Sequence, residues 1–155
     1  MNKKKMSLLA CLLLVMALML SACAQSAVEI TTSQFKDACE KDGLTVTMEA
    51  SPMPEYEGIK EYDTASHGTN DILVERMVFD TEEQAQDAFS KICSAISIGG
   101  SGNTDTIKEK AFTTYKVNAD KRYTKVTVSG TNIISAGGPT MYKSQLDRIM
   151  MKFGF

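Results

Sequence analysis

The chain has 155 residues, 43% of them hydrophobic and 23% charged, which suits one globular domain and excludes a disordered or fibrous chain or two linked domains of ordinary size. The first 22 residues hold three of the 17 basic and none of the 19 acidic side chains, so the remainder carries 14 against 19, a net charge of −5. A mildly acidic body argues against nucleic-acid backbone binding as the main task.

Lys3, Lys4 and Lys5 precede an almost unbroken apolar run from Leu8 to Leu20 that ends at small residues, the pattern of a secretory signal peptide. A spanning helix needs about 20 apolar residues, and this run is shorter and gives way at once to polar sequence. Its exit, Leu20-Ser21-Ala22-Cys23, resembles the lipobox of bacterial lipoproteins. The resemblance covers only these first 23 residues. It implies cleavage between Ala22 and Cys23, a diacylglyceryl thioether on Cys23, and a mature protein anchored by lipid at the extracytoplasmic face of the cell membrane. Two or more acyl chains, at about 0.8 kcal/mol per buried CH₂, hold where one would not. Residues 23–30 are then the expected tether, and 31–155 the domain.

Four cysteines are present. Cys11 leaves with the signal peptide and Cys23 is lipidated, so Cys39 and Cys93 remain, either as a disulfide of an exported domain or as two buried free thiols. The chain has no CxxC and one histidine, which gives no basis for a metal, and no cofactor is expected.

Thr31 and Gln34 form a capping box that starts a helix at 32, and Gly43 ends it near 42. Leu44, Val46 and Met48 alternate with polar residues as a strand does. The segment from Ser51 to Asn70 reads as a long connection carrying Tyr56, Ile59 and Tyr62 at three-residue intervals. Ile72 to Phe79 is a second, more buried strand. Asp80 or Thr81 caps a helix whose Ala85, Ala88, Phe89, Ile92, Cys93 and Ile96 share one face. Gly99 to Asn103 follows that helix instead of opening one, so it is a connection and not a phosphate cradle.

Ala111–Val117, Arg122–Ser129 and Asn132–Ala136 make a meander, joined by residues 118–121 and by a II′-type turn at Gly130-Thr131. Pro139 and Thr140 open a last helix with Tyr142, Leu146, Ile149, Met150 and Phe153 on one face. The order α-β-β-α-β-β-β-α gives an α+β fold in two layers, an antiparallel sheet of about five strands with three helices on one face. The meander pairs Lys116 with Tyr123, Thr114 with Lys125 and Phe112 with Thr127 on the open face.

No constellation fixes an activity, and the expected function is a non-enzymatic ligand- or partner-binding module of the cell envelope. The expected interaction surface is Phe112, Tyr123 and Ile134 on the open sheet face, with Tyr56 and Tyr62 at its margin. The rival is a small hydrolase or metal-dependent enzyme centred on His67, with Ser66, Asp63 or Asp71 beside it. Glu55, Glu57, Glu61 and Asp63 concentrate negative charge without the spacing of a calcium loop. Lys116, Lys121, Arg122 and Lys125, interleaved with Tyr115 and Tyr123, read as a solvated basic hairpin, with headgroup contact as the functional alternative.

Overall fold

The computed structural model describes residues 26–48, 56–69, 71–98 and 102–155. The signal peptide, the lipobox and Cys23 lie outside the described residues. The elements are α1 (Thr32–Glu40), β1 (Thr45–Thr47), β2 (Ile59–His67), β3 (Ile72–Phe79), α2 (Glu82–Ile98), β4 (Asn103–Lys108), β5 (Thr113–Ala119), β6 (Arg122–Ser129), β7 (Asn132–Pro139), a 3₁₀ turn (Thr140–Tyr142) and α3 (Lys143–Lys152). The strands form one antiparallel sheet in the order β1-β2-β3-β7-β6-β5-β4. The α+β class and the antiparallel sheet are as expected; the sheet has seven strands instead of about five.

Local signals set the helix starts. Thr31 Oγ1 accepts from Gln34 N–H at 3.2 Å while Gln34 Oε1 accepts from Thr31 N–H at 2.9 Å, and Thr81 with Gln84 repeats the exchange ahead of α2. Gly43 ends α1 with φ +79°, a left-handed conformation that glycine adopts without strain. The last helix starts later than expected. Gly137, Gly138 and Pro139 extend β7, and α3 follows the 3₁₀ turn.

The helices do not share a face, which corrects the two-layer reading. Phe35, Ala38 and Cys39 of α1 and Leu146, Ile149 and Met150 of α3 pack with Ala65, Ile72, Val74, Tyr123, Ile134 and Ala136 on one side of the sheet. Ala85, Ala88 and Phe89 of α2 pack with Tyr62, Met77, Phe79, Val126, Val128 and Ile133 on the other. Adjacent residues such as Ile133 and Ile134 point to opposite faces and are both fully buried.

The β5–β6 register also differs. Asp120 and Lys121 both take positive φ, +49° and +64°, and form a two-residue turn of the I′ kind. Thr114 therefore faces Thr127, Lys116 faces Lys125 and Asn118 faces Tyr123. The expected pairing is two residues out, with the faces unchanged, because a shift of two preserves the alternation.

Residues 27–30 are docked instead of hanging as a tether. Val28 N–H donates to Ser129 Oγ at 2.7 Å, Ile30 is buried, and a Cβ on Gly130 would lie 2.8 Å from that of Ala27.

The end of α1 is clamped to α3. Asp42 accepts from Arg148 Nη2 at 2.7 Å and from Lys152 Nζ, and Gln145 Nε2 donates to the Asp42 carbonyl at 2.9 Å. Burial alone would raise the Asp42 pKa, but the hydrogen bonds and charges of Lys152 and Arg148 hold it below the usual carboxylate range. Its contribution is complete above the unfolded value of about 3.9 and is lost as pH falls towards the lower folded value. Asp42→Asn is expected to be less stable than wild type at pH 6, and the gap should narrow on acidification to pH 2.5. Denaturant melts along that pH series check it.

Candidate functional site

On the α2 side the helix leaves one end of the sheet open. Leu73, Glu75 and Met77 of β3, Ser135 and Gly137 of β7, and Arg122 and Thr124 of β6 form a floor, with Ile92 and Ile96 of α2 and Tyr56 as walls, around a groove of about 230 Å³. The strand register aligns the floor: Leu73 and Thr124 both face Gly137, and Glu75 faces Ser135. Gly137 brings no side chain and Ser135 a small one, so the floor stays low beneath Leu73, which is 42% exposed.

The polar groups of the groove differ in their freedom. Tyr62 O–H donates to Glu75 Oε1 at 2.6 Å, so that carboxylate is already engaged. The Arg122 side chain is exposed, and its guanidinium makes no hydrogen bond or ion pair with the described residues. The groove therefore offers an apolar wall and a free guanidinium. Its volume is below the roughly 300–1,000 Å³ of ordinary ligand pockets, so it suits a partner's side chain or a small acid and not a large cofactor.

A larger hollow of about 430 Å³ lies at the start of α1, lined by Thr31, Thr32, Ser33, Glu61 and Arg76 among others. Arg76 and the groups it binds are committed to holding the fold. Arg76 Nε donates to Ile30 O at 2.6 Å and Nη1 to Thr32 Oγ1 at 3.1 Å, while Nη1 and Nη2 reach Asp63 Oδ2 and Glu61 Oε2, both at 2.7 Å. The Arg76 hydrogen bond holds the Glu61 pKa below the usual range.

The expected interaction surface is largely core. Tyr123 and Ile134 lie under α1 and α3, and Tyr62 lies under α2; all three are buried. The face expected to be open is the one those first and last helices cover. Phe112 is half-buried and meets Phe155 edge to face at 5.1 Å. Tyr56 alone of the five lines the groove.

Cys39 and Cys93 are both free thiols. A disulfide is not formed, because α1 and α2 hold the two residues on opposite faces of the sheet. Burial pushes the Cys39 thiol up to about 12 and the Cys93 thiol up to about 11, so neither is a ready thiolate nucleophile.

His67 closes β2, with Thr69 Oγ1 3.4 Å from its Nδ1. Ser66, its strand neighbour, points to the other face, Asp63 is bound to Arg76, and Asp71 sits beyond the turn with φ +51°. The structure does not bring the elements of the His67 site together. Of the acidic segment, Glu55 lies outside the described residues, Glu61 and Asp63 bind Arg76, and Glu57 is exposed beside Glu83 and Asp87. Among the described residues no group of three or more His, Cys, Asp or Glu side chains is placed to hold a metal ion, and no helix is long and apolar enough to cross a membrane.

No protein-family model matches the chain, and no curated protein matches it. Among solved structures it is similar to a GTP binding regulator from Thermotoga maritima, with a TM-score of 0.51 at 8% identity over 83% of this chain and 90% of the other. At that identity the likeness concerns the fold alone. The extracellular domain of PknH from Mycobacterium tuberculosis aligns over 82% of this chain and 93% of its own at 13% identity, with a TM-score of 0.34, too low to argue from.

Proposed function

We propose that this chain is a lipid-anchored, extracytoplasmic binding module, tethered at Cys23, that takes an apolar group bearing a negative charge in the groove beside α2. The anchor rests on the lipobox resemblance of Leu20-Ser21-Ala22-Cys23. A chain beginning at Cys23 keeps every contact described above, since the docked part begins at Ala27 and Val28.

The observation that carries the reading is the placement of the groove relative to that docked segment. Val28 is bound at Ser129, the end of β6, whereas Arg122 and Thr124 of the groove lie at its start. At about 3.4 Å per residue the two ends are roughly 20 Å apart. An anchor at Cys23 then turns the groove away from the bilayer, where an envelope protein or a small ligand reaches it.

Phenylacetate supplies a ring for the apolar wall and a carboxylate for Arg122. Saturation-transfer NMR on the detergent-solubilised full chain is expected to show binding that Leu73→Asp and Arg122→Glu each abolish. Both positions are exposed, so the melting temperature should stay within a degree or so of wild type. Equal transfer in wild type and both variants would remove the groove from the account.

A further inference from the structure

Lys116 and Lys125 stand directly opposite each other on β5 and β6. Opposed residues of an antiparallel pair lie about 4.5–5.5 Å apart at Cα, and like charges so placed destabilise the sheet. Lys125 is only 6% exposed. Its ammonium group makes no hydrogen bond or ion pair with the described residues, nor does that of Lys116. No fully buried side-chain nitrogen or oxygen among them lacks a partner, so the Lys125 ammonium reaches the surface through an otherwise buried stem.

The neighbouring carboxylates offset the opposition only through space, since neither bonds to Lys116 or Lys125. Asp147 of α3 is already shared between the Tyr123 hydroxyl at 2.6 Å and Lys143 Nζ at 2.7 Å. Asp105 faces Lys116 from β4 without an ion pair to it. Thr114 and Thr127, next along the same face, bond to each other at 2.8 Å. Burial lowers the Lys125 pKa, and the charges of Lys116 and Lys143 lower it further against the opposing pull of Asp147. Two like charges set face to face, with Asp105 and Asp147 near but bonded to neither, are an arrangement that a bridging phosphate oxyanion relieves.

We propose that Lys116 and Lys125, with Lys143 at the margin, form a phosphate-binding site on the sheet face beside α3. It stands on the strand register and on burial, independent of the groove and of the lipid anchor. The phosphate is that of a free ion or monoester, or that of a lipid headgroup.

Thermal melts of the detergent-solubilised full chain test it, comparing inorganic phosphate with chloride at equal ionic strength. The wild-type midpoint is expected to rise with the logarithm of phosphate concentration beyond the chloride control, as ligand linkage requires. Lys116→Met and Lys125→Met should each lose that rise. Lys116→Met, at a half-buried position, should melt without phosphate no lower than wild type, because the like-charge opposition is gone; it keeps the test valid should Lys125→Met fail to fold. An equal rise with a glycerophosphodiester would identify a headgroup as the source, and a rise with inorganic phosphate alone would identify the free ion or monoester. Identical midpoints in phosphate and chloride, or a rise retained in Lys116→Met, would overturn the site.

Discussion

Replacing Arg76 with methionine is expected to destabilise the protein by about 3–5 kcal/mol, the cost of stripping a buried charge of its partner. The Arg76 side chain is 4% exposed and that of Asp63 3%. Methionine has comparable length but no donor, so Asp63 loses its guanidinium and the Ile30 carbonyl its only described side-chain donor. The same change unhooks the segment that leads into α1, since Arg76 binds both Ile30 and Thr32. Chemical denaturation measures the loss. Adding Asp63→Leu should restore much of it, because a buried ion pair replaced by apolar side chains is often neutral. High salt should scarcely change the wild-type contribution of the Asp63 bond, in contrast to a surface pair. A loss below about 1 kcal/mol for Arg76→Met would mean that the cluster is solvated.

Tyr123→Ser is the second large effect, about 3–5 kcal/mol, as truncating a buried aromatic side chain produces. Tyr123 is 2% exposed, its hydroxyl donates to Asp147, and Lys143 Nζ lies 4.9 Å above its ring. Burial and the Asp147 carboxylate push its pKa up, so it stays a neutral donor across the working pH range. Tyr123→Phe separates the two contributions by keeping the ring and losing the hydrogen bond, for which about 1.5–3 kcal/mol is the usual scale with a charged acceptor. An exposed contact residue would show the reverse, a near-unchanged melt in Tyr123→Ser.

The misreading of Tyr123 has a definite cause. The alternation of β5 and β6 assigned its face correctly, but alternation says nothing about which face the helices cover. The signal that two faces are covered was present in adjacent apolar pairs: Val78-Phe79 and Ile133-Ile134 are continuous, as in strands buried on both sides. The hidden strands are those without an apolar pattern. β2 buries Asp63 against Arg76 instead of an aliphatic side chain, so it reads as a polar connection. β4 is almost wholly exposed and is held by β5 alone. Caps and turns were legible where one local interaction decides them, as at Thr31, Thr81 and Gly43. The Asp120-Lys121 turn was not, because it lacks the asparagine or glycine that advertises a I′ turn.

The groove was not legible for a related reason. Its lining comes from Tyr56 and four elements between residues 73 and 137, and only the sheet order brings β3, β7 and β6 side by side. Three-residue spacing groups Tyr56 with Ile59 and Tyr62, whereas β2 turns Tyr62 into the core. The cysteines illustrate the same limit, since helical periodicity placed Cys39 and Cys93 on apolar faces and left open that those faces look at opposite sides of the sheet.

The intact mass of the protein extracted from membranes tests the anchored-module reading most directly. The expected mass is that of a chain starting at Cys23 with its acyl groups, and Cys23→Ser should yield an unprocessed or released form that keeps the fold. A wild-type protein recovered free in the medium, unacylated and starting at another residue, would contradict the anchor and with it the outward orientation of the groove.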